Sequence, residues 1–553
     1  MIKENFVAYI ADSISQNWDY PALSDYKGED YTYGDTGRKI IWLHELFKES
    51  GIQKGDKIAL LGKNSAHWAV IYLATVSYGA VIVPILPDFH ANDVHHIVNH
   101  SDSKLLFVGE MIWDQIDESC MEDLLGILAI EDFSAICNKP ECNLTQAIEN
   151  VNKTFSSRYG NDFKKDDFHI EPVSNDDIGI INYTSGTTGF SKGVVLKNNA
   201  LAANVRFARN NLPLSAGERI VSILPLAHTY GCAFEFLWPF SMGCHINFLT
   251  RTPSPKIIVQ AFQSIKPSVV IAVPLIIEKI YKKQIKPALD KKLIKILTSL
   301  PFFDKPIYQK INKKLTGVFG GEFREIVIGG APLSEDVETF LRKINFKYTV
   351  GYGMTECGPL ISYSGWQKTK YRSAGKVVDT LEIKIDASAA QKDVGEIMVR
   401  GENIMEGYYK NPEATAQAID KDGWLHTGDL GMVDDEGFVF INGRSKSLIL
   451  GPSGENIYPE EIESKINNLP HVMESLILPD DNKLVALIYP DYEAIDKEGI
   501  RMKDLPKILE EGRNEINSEL PKFKQVTRFK LYPHEFEKTP KKSIKRFLYE
   551  IDD

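Results

Sequence analysis

The sequence predicts an α/β fold: a large N-terminal domain of layered α/β subdomains plus a β-rich subdomain, then a small α+β C-terminal domain. Three observations carry this. Apolar, β-branched runs alternate with helical patterns: "KIALLG" precedes "AHWAVIYLATVSYG", "SVVIAV" precedes "PLIIEKIYKK", and "EIVIGG" precedes "SEDVETFLRKI". After about Gly395 the texture turns to short strands, "GEIMVRG" and "GMVDDEGFVFING", with Asp435-Glu436-Gly437 as a hairpin turn. Past Arg444 a smaller α+β unit of about a hundred residues follows, a plausible domain by size. The division is therefore set at 1–445 and 446–553.

Taken in order, the start "MIKENFVAYIADSIS" lacks an uninterrupted apolar run and a small-residue cleavage site, so no signal peptide is expected. "HWAVIYLATVSYGAVIVPIL" (His67 to Leu86) is long enough to span a bilayer, but it contains Ser77, Gly79 and Pro84. A helix, a turn and a buried strand explain it better. Pro274 suits the first turn of the helix that follows "SVVIAV".

A chain of 553 residues exceeds one ordinary core, and 43% hydrophobic with 25% charged residues is a globular composition. A net charge of −11 argues against a general nucleic-acid binder. The cysteines, Cys120, Cys137, Cys142, Cys232, Cys244 and Cys357, show no metal-binding spacing. Cys137 and Cys142 could pair, but a reduced cytoplasmic chain is the better reading. Between Lys279 and Lys314 eleven lysines face two acids, Asp290 and Asp304. Peripheral contact with anionic lipid at the inner membrane face is one reading; a solvated basic face is the other, and the preferred one.

Four motifs carry chemistry. "INYTSGTTGFSKGVVL" (Ile181 to Leu196) sets glycines, hydroxyls and Lys192 between apolar runs, which lets bare amides converge on a phosphate. It is not the Walker pattern: counting from Gly186, Ser191 takes the second glycine position and Gly193 follows Lys192. "GVVL" reads as a strand, so the setting is strand, loop, strand; a plain hairpin is the alternative. In "VGYGMTECGP" the Thr355-Glu356 pair would place a hydroxyl and a carboxylate near phosphates, which makes sense with Mg²⁺ between them. In "GWLHTGDLG", Asp429 is expected in a polar turn where it can accept from a ribose diol. In "INGRSKSLILGPSGENIYPEEIE", Arg444 can add a diol or phosphate contact where the composition changes.

With "GGAPLS" between the first and second, and "GRSKSLI" and "GENIYPEEIE" after the third, this order resembles the acyl-adenylate-forming superfamily over nearly the whole chain. Acyl-CoA synthetases belong to it, and long-chain fatty acid–CoA ligases are the members it is most similar to. The resemblance implies a phosphate loop from Thr184 to Gly193, including Ser185, Gly186, Thr187, Thr188, Gly189 and Lys192, closing over ATP. It implies Thr184 and Glu356 on Mg²⁺, and Gly330, Ala331 and Pro332 against adenine. Tyr352 would stack opposite, with Gly353 and Thr355 beside it, and Asp429 and Arg444 would hold the ribose. Lys446 matches a hinge on which a mobile C-terminal domain turns. "ILPLAHTYGCAFEFLWPF" resembles an acyl-pocket segment, with His228 near the carboxylate and the thiol's route, and Gly329 bordering the substrate. A lone His228 would otherwise read as a satisfied structural histidine.

Three departures stand out. Ser191 replaces a proline, Ser447 replaces an acid, and in "KTPKKSIKRF" the position of the family's adenylation lysine is Ser543. If 540–546 runs extended, Lys541 and Lys545 share the face of Ser543; a one-residue bulge would instead deliver Lys542, the preferred catalytic replacement. The implied reaction is activation of a long-chain fatty acid with ATP, then transfer to coenzyme A. The alternatives are loading of a carrier protein, or an impaired adenylate-binding homologue. Partners are then small molecules, with no nucleic acid; peripheral membrane association and a homodimer stay open.

Overall fold

The computed structural model describes residues 2–139, 142–160, 162–184, 192–250, 255–289, 304–391, 394–450, 456–480, 483–539 and 544–551. Its largest sheet has eight strands in the order Gly407–Tyr408, Lys192–Lys197, Ile178–Thr184, Val81–Ile85, Lys57–Leu61, Ser103–Val108, Gly126–Ala129 and Ala135–Asn138. The middle strands run parallel and are buried along their length, so their sequences are continuous apolar runs rather than alternating ones.

The segment long enough to span a membrane is a helix, turn and strand inside this layer. Ser65 caps the helix Ala66–Tyr78 by accepting from the Trp68 amide, and Gly79, at φ 86°, ends it before the strand Val81–Ile85. No helix among the described residues is long and apolar enough to cross a membrane.

A second layer pairs Val270–Ala272, Ile326–Ile328 and Tyr348–Val350 in parallel. The β-rich part is an antiparallel sheet of Leu381–Gln391, Val394–Gly401, Leu425–Val433 and Val439–Arg444. Its last hairpin closes where Asp434 accepts the Gly437 amide at 2.8 Å, with Gly437 at φ 84°, a conformation that suits glycine. Beyond it, Ile457, Ile462, Ile466, Val472, Ile488, Leu509 and Val526 share a core of their own under the sheet Val472–Asp480, Lys483–Pro490 and Val526–Leu531. The six cysteines are all free thiols.

Candidate active site

Thr184 ends one strand and Lys192 begins the next, and the two are cross-strand partners in an antiparallel pair. Ser185, Gly186, Thr187, Thr188 and Gly189 lie outside the described residues. The Lys192 ammonium sits 4.8 Å from the centre of the Tyr408 ring, a cation–π contact. Tyr408 reaches this place because Gly407–Tyr408 pairs antiparallel with Val194 and Val195. Its hydroxyl donates to Glu356 Oε1 at 2.9 Å, and burial, with that carboxylate beside it, pushes the phenol's pKa up. A cation and a carboxylate are thus joined through one tyrosine.

Glu356 lies on the short 3₁₀ turn Thr355–Cys357, just after the strand Tyr352–Gly353. Gly353 is tied to its site by space, since a Cβ there would come within 2.1 Å of the Pro359 carbonyl oxygen. Asn204, on the helix that follows the phosphate-loop strand, clamps the turn: its amide donates to Cys357 O at 3.2 Å and its oxygen accepts the Leu360 amide at 2.9 Å. Thr355 is buried, whereas Glu356 is half-buried and more open to a ligand.

The polar turn expected at Asp429 is instead a strand, Leu425–Val433, in which Asp429 faces Arg444 across an antiparallel pair. Ladder pairing overrides the turn-like composition of "TGD" and puts both side chains on one face. Arg444 Nε lies 3.1 Å from Asp429 Oδ1, and the Tyr352 hydroxyl donates to Oδ2 at 2.7 Å. Burial raises the Asp429 pKa, and Arg444 and Tyr352 pull it part of the way back. The stacking and ribose candidates are therefore one connected unit.

Gly329 and Gly330 follow the strand Ile326–Ile328. A Cβ on Gly329 would meet the Tyr230 ring at 2.9 Å, and Gly330 has φ 85°; Gly330, Ala331 and Pro332 are exposed. The loop is pinned from two sides: the Ser334 amide donates to Glu278 at 2.9 Å and Arg372 donates to Leu333 O at 2.8 Å. Tyr230 donates to Val327 O at 3.1 Å, and His228, two residues before it, is half-buried.

Behind His228 a π-helical turn, Cys232–Leu237, holds Glu235 fully buried. Its Oε2 accepts from the Leu224 amide at 2.9 Å, the Ile223 amide at 3.1 Å and the Ser222 hydroxyl at 3.0 Å. Oε1 has no partner among the described residues. Burial pushes this carboxyl up to about 8 from the usual 4.5, against those three donors. The folded state thus keeps a proton that the unfolded chain releases, so the stability it contributes is full below pH 4.5 and is lost as pH rises to about 8. Glu235→Gln is expected to flatten this dependence. Thermal melts should show its midpoint rising by a few degrees relative to the parent on going from about pH 5 to about pH 8; a constant offset would contradict the assignment.

Lys446 is exposed on the 3₁₀ turn Ser445–Ser447 between the two large parts of the chain. Lys542, with 540–543, lies outside the described residues. On either side of those residues, Lys538 and Ile544 make an antiparallel bridge, and a 3₁₀ turn spans Arg546–Leu548. Lys545, an alternative replacement, donates to Glu537 at 2.8 Å within the small domain.

The family model for AMP-binding enzymes matches residues 10–409. The chain belongs to this family. It is a member of the acyl-adenylate-forming CoA ligase superfamily, similar to long-chain-fatty-acid–CoA ligase FadD15 of Mycobacterium bovis at 27% identity, over 95% of this chain and 91% of that one. Peroxisomal long chain acyl-CoA synthetase 7 of Arabidopsis thaliana is 30% identical over 87% of this chain and 72% of its own. Among solved structures, the anthranilate CoA ligase AuaEII with anthranoyl-AMP shares the fold, at a TM-score of 0.79 and 19% identity over 99% of this chain and 96% of that one.

Tyr408 had no place among the sequence-derived candidates. The available signal was "GYYKNP", a glycine and two tyrosines before an Asn-Pro helix start, at which Asn411 caps Pro412–Ala418. Only strand pairing reveals which of the two tyrosines faces Lys192.

Proposed function

We propose that the protein activates a long-chain fatty acid with ATP and transfers the acyl group to coenzyme A. The observation that carries this reading is the Lys192, Tyr408 and Glu356 chain beside Thr184, with Tyr352, Asp429 and Arg444 as a second connected unit. A carboxylate resists nucleophiles because it is anionic and its leaving group would be oxide. In the first step its oxygen attacks the α-phosphorus, the bond to the bridging oxygen breaks, and pyrophosphate leaves with the electron pair. Lys192 offsets charge on the phosphates, and the Asp429–Arg444 pair orients the nucleotide. In the second step a thiol gives up its proton to the medium, sulfur attacks the acyl carbon, and AMP leaves.

Mg²⁺ fits the oxygen donors of Thr184 and Glu356, where it would neutralise phosphate charge. The apolar acid is favoured by the resemblance of the segment Ile223 to Phe240 to an acyl-pocket segment, and by relatives named for long-chain acids.

A panel of carboxylic acids of increasing chain length, with ATP, Mg²⁺ and coenzyme A, tests this by mass detection of thioesters. Thioester yield is expected to rise with chain length into the long-chain range. Preference for a short or aromatic acid would overturn the substrate class, acyl-AMP without thioester would point to a carrier-protein acceptor, and formation of neither acyl-AMP nor AMP would sink the enzyme reading.

A further inference from the structure

The helix Pro274–Ile280 continues through a π-helical turn, Tyr281–Ile285, into Lys286–Leu289. Near its start, Glu278 accepts the Ser334 amide, which belongs to the loop bearing Gly330, Ala331 and Pro332. Four residues on, Lys282 donates to Asn467 O at 2.9 Å and Val472 O at 2.6 Å in the small domain. Lys286 donates to Asn468 O at 3.4 Å. The Asn467 and Asn468 carbonyls lie just past the C-terminal end of the helix Pro459–Ile466, where backbone acceptors lack helical partners and the helix dipole is negative, and Val472 begins the strand that follows. Two lysines placed by sequence in a basic surface thus cap a helix of the other domain.

The contact beside them is not close-packed. A cleft of about 420 Å³ separates the domains there, lined by Tyr281, Phe340, Glu335, Asp336, Lys465 and Glu519. Polar tethers across an open cleft can release and re-form, whereas a sealed apolar interface would hold the domains together permanently.

We infer that Lys282, supported by Lys286, is a positioning latch that holds the small domain in the arrangement seen here, and that this arrangement serves one of the two half-reactions. The inference rests on the two-step reading. Lys282 bonds to backbone carbonyls of the small domain and acts through the position of that domain. Because Glu278 and Lys282 lie one helical turn apart, the same helix touches the adenine-side loop and the docked domain.

The test compares the full-length parent with Lys282→Met and Lys282→Arg, measuring pyrophosphate exchange and thioester formation from supplied acyl-AMP. Small-angle scattering of the same samples reports domain arrangement. Lys282→Met is expected to change the ratio of the two rates by about fivefold or more, lowering one more than the other, and to expand the scattering profile. Lys282→Arg, which keeps the charge and the donors, should stay within about twofold of the parent. A ratio within about twofold for Lys282→Met, with unchanged scattering, overturns the latch. If Lys282→Met does not fold, Lys282→Gln takes its place with the same expectations. If the parent catalyses neither half-reaction, the proposed function fails while scattering alone still decides the latch.

Discussion

Replacing Glu356 with Gln is expected to lower acyl-AMP formation by about 10²-fold or more while leaving the fold intact, on the scale of removing one oriented electrostatic group. Gln keeps the size of the side chain and an oxygen that can accept from Tyr408, so the 3₁₀ turn held by Asn204 should survive. What it removes is the negative charge that makes the site a seat for a hard cation among phosphates. Half-burial keeps the group out of the core, so its stability contribution is small. Pyrophosphate exchange measures the first step; thermal unfolding measures the fold. Exchange at the parent rate would show that the metal assignment is wrong, and a lowered melting point with proportionate loss would mean that the residue is structural.

Changing Lys542 to Ala is expected to reduce pyrophosphate exchange by about 10²-fold or more and largely to spare thioester formation from supplied acyl-AMP. The need arises from Ser543, which leaves the family's lysine position without a cation. Of the neighbouring lysines, Lys545 is engaged by Glu537 and Lys538 by Glu474, both at 2.8 Å. Lys541 and Lys542 lie outside the described residues, and Lys542 is kept as the candidate on the sequence argument. Lys541→Ala and Lys545→Ala are the comparisons. If all three variants keep exchange, the cation comes from outside this loop.

The candidate site was legible in proportion to how local its chemistry is. The strands flanking "TSGTTG" form as their apolar patterns predict, and the reading of that loop as a phosphate site rests on amides and hydroxyls adjacent in sequence. Asp429 was read as functional but placed in a turn, because Gly428-Asp429 has turn composition and the ladder to Arg444 is invisible without the partner strand. Tyr408 was missed for a related reason. It lies 216 positions beyond Lys192, and only the edge pairing of Gly407–Tyr408 onto Val194 and Val195 brings its ring to the lysine.

The sequence by itself determined the α/β class, the order of the strands and helices around the phosphate-binding segment, and the family. Each depends on periodicity or on residues close together in the chain. Tertiary structure alone decided which side chains join Lys192 to Glu356, that Asp429 is buried between Tyr352 and Arg444, and that Lys282 caps a helix 185 residues away instead of facing solvent. The physical reason is that a hydrogen bond or a cation–π contact depends on distance in space, and the register of strands and the docking of domains set that distance independently of separation along the chain.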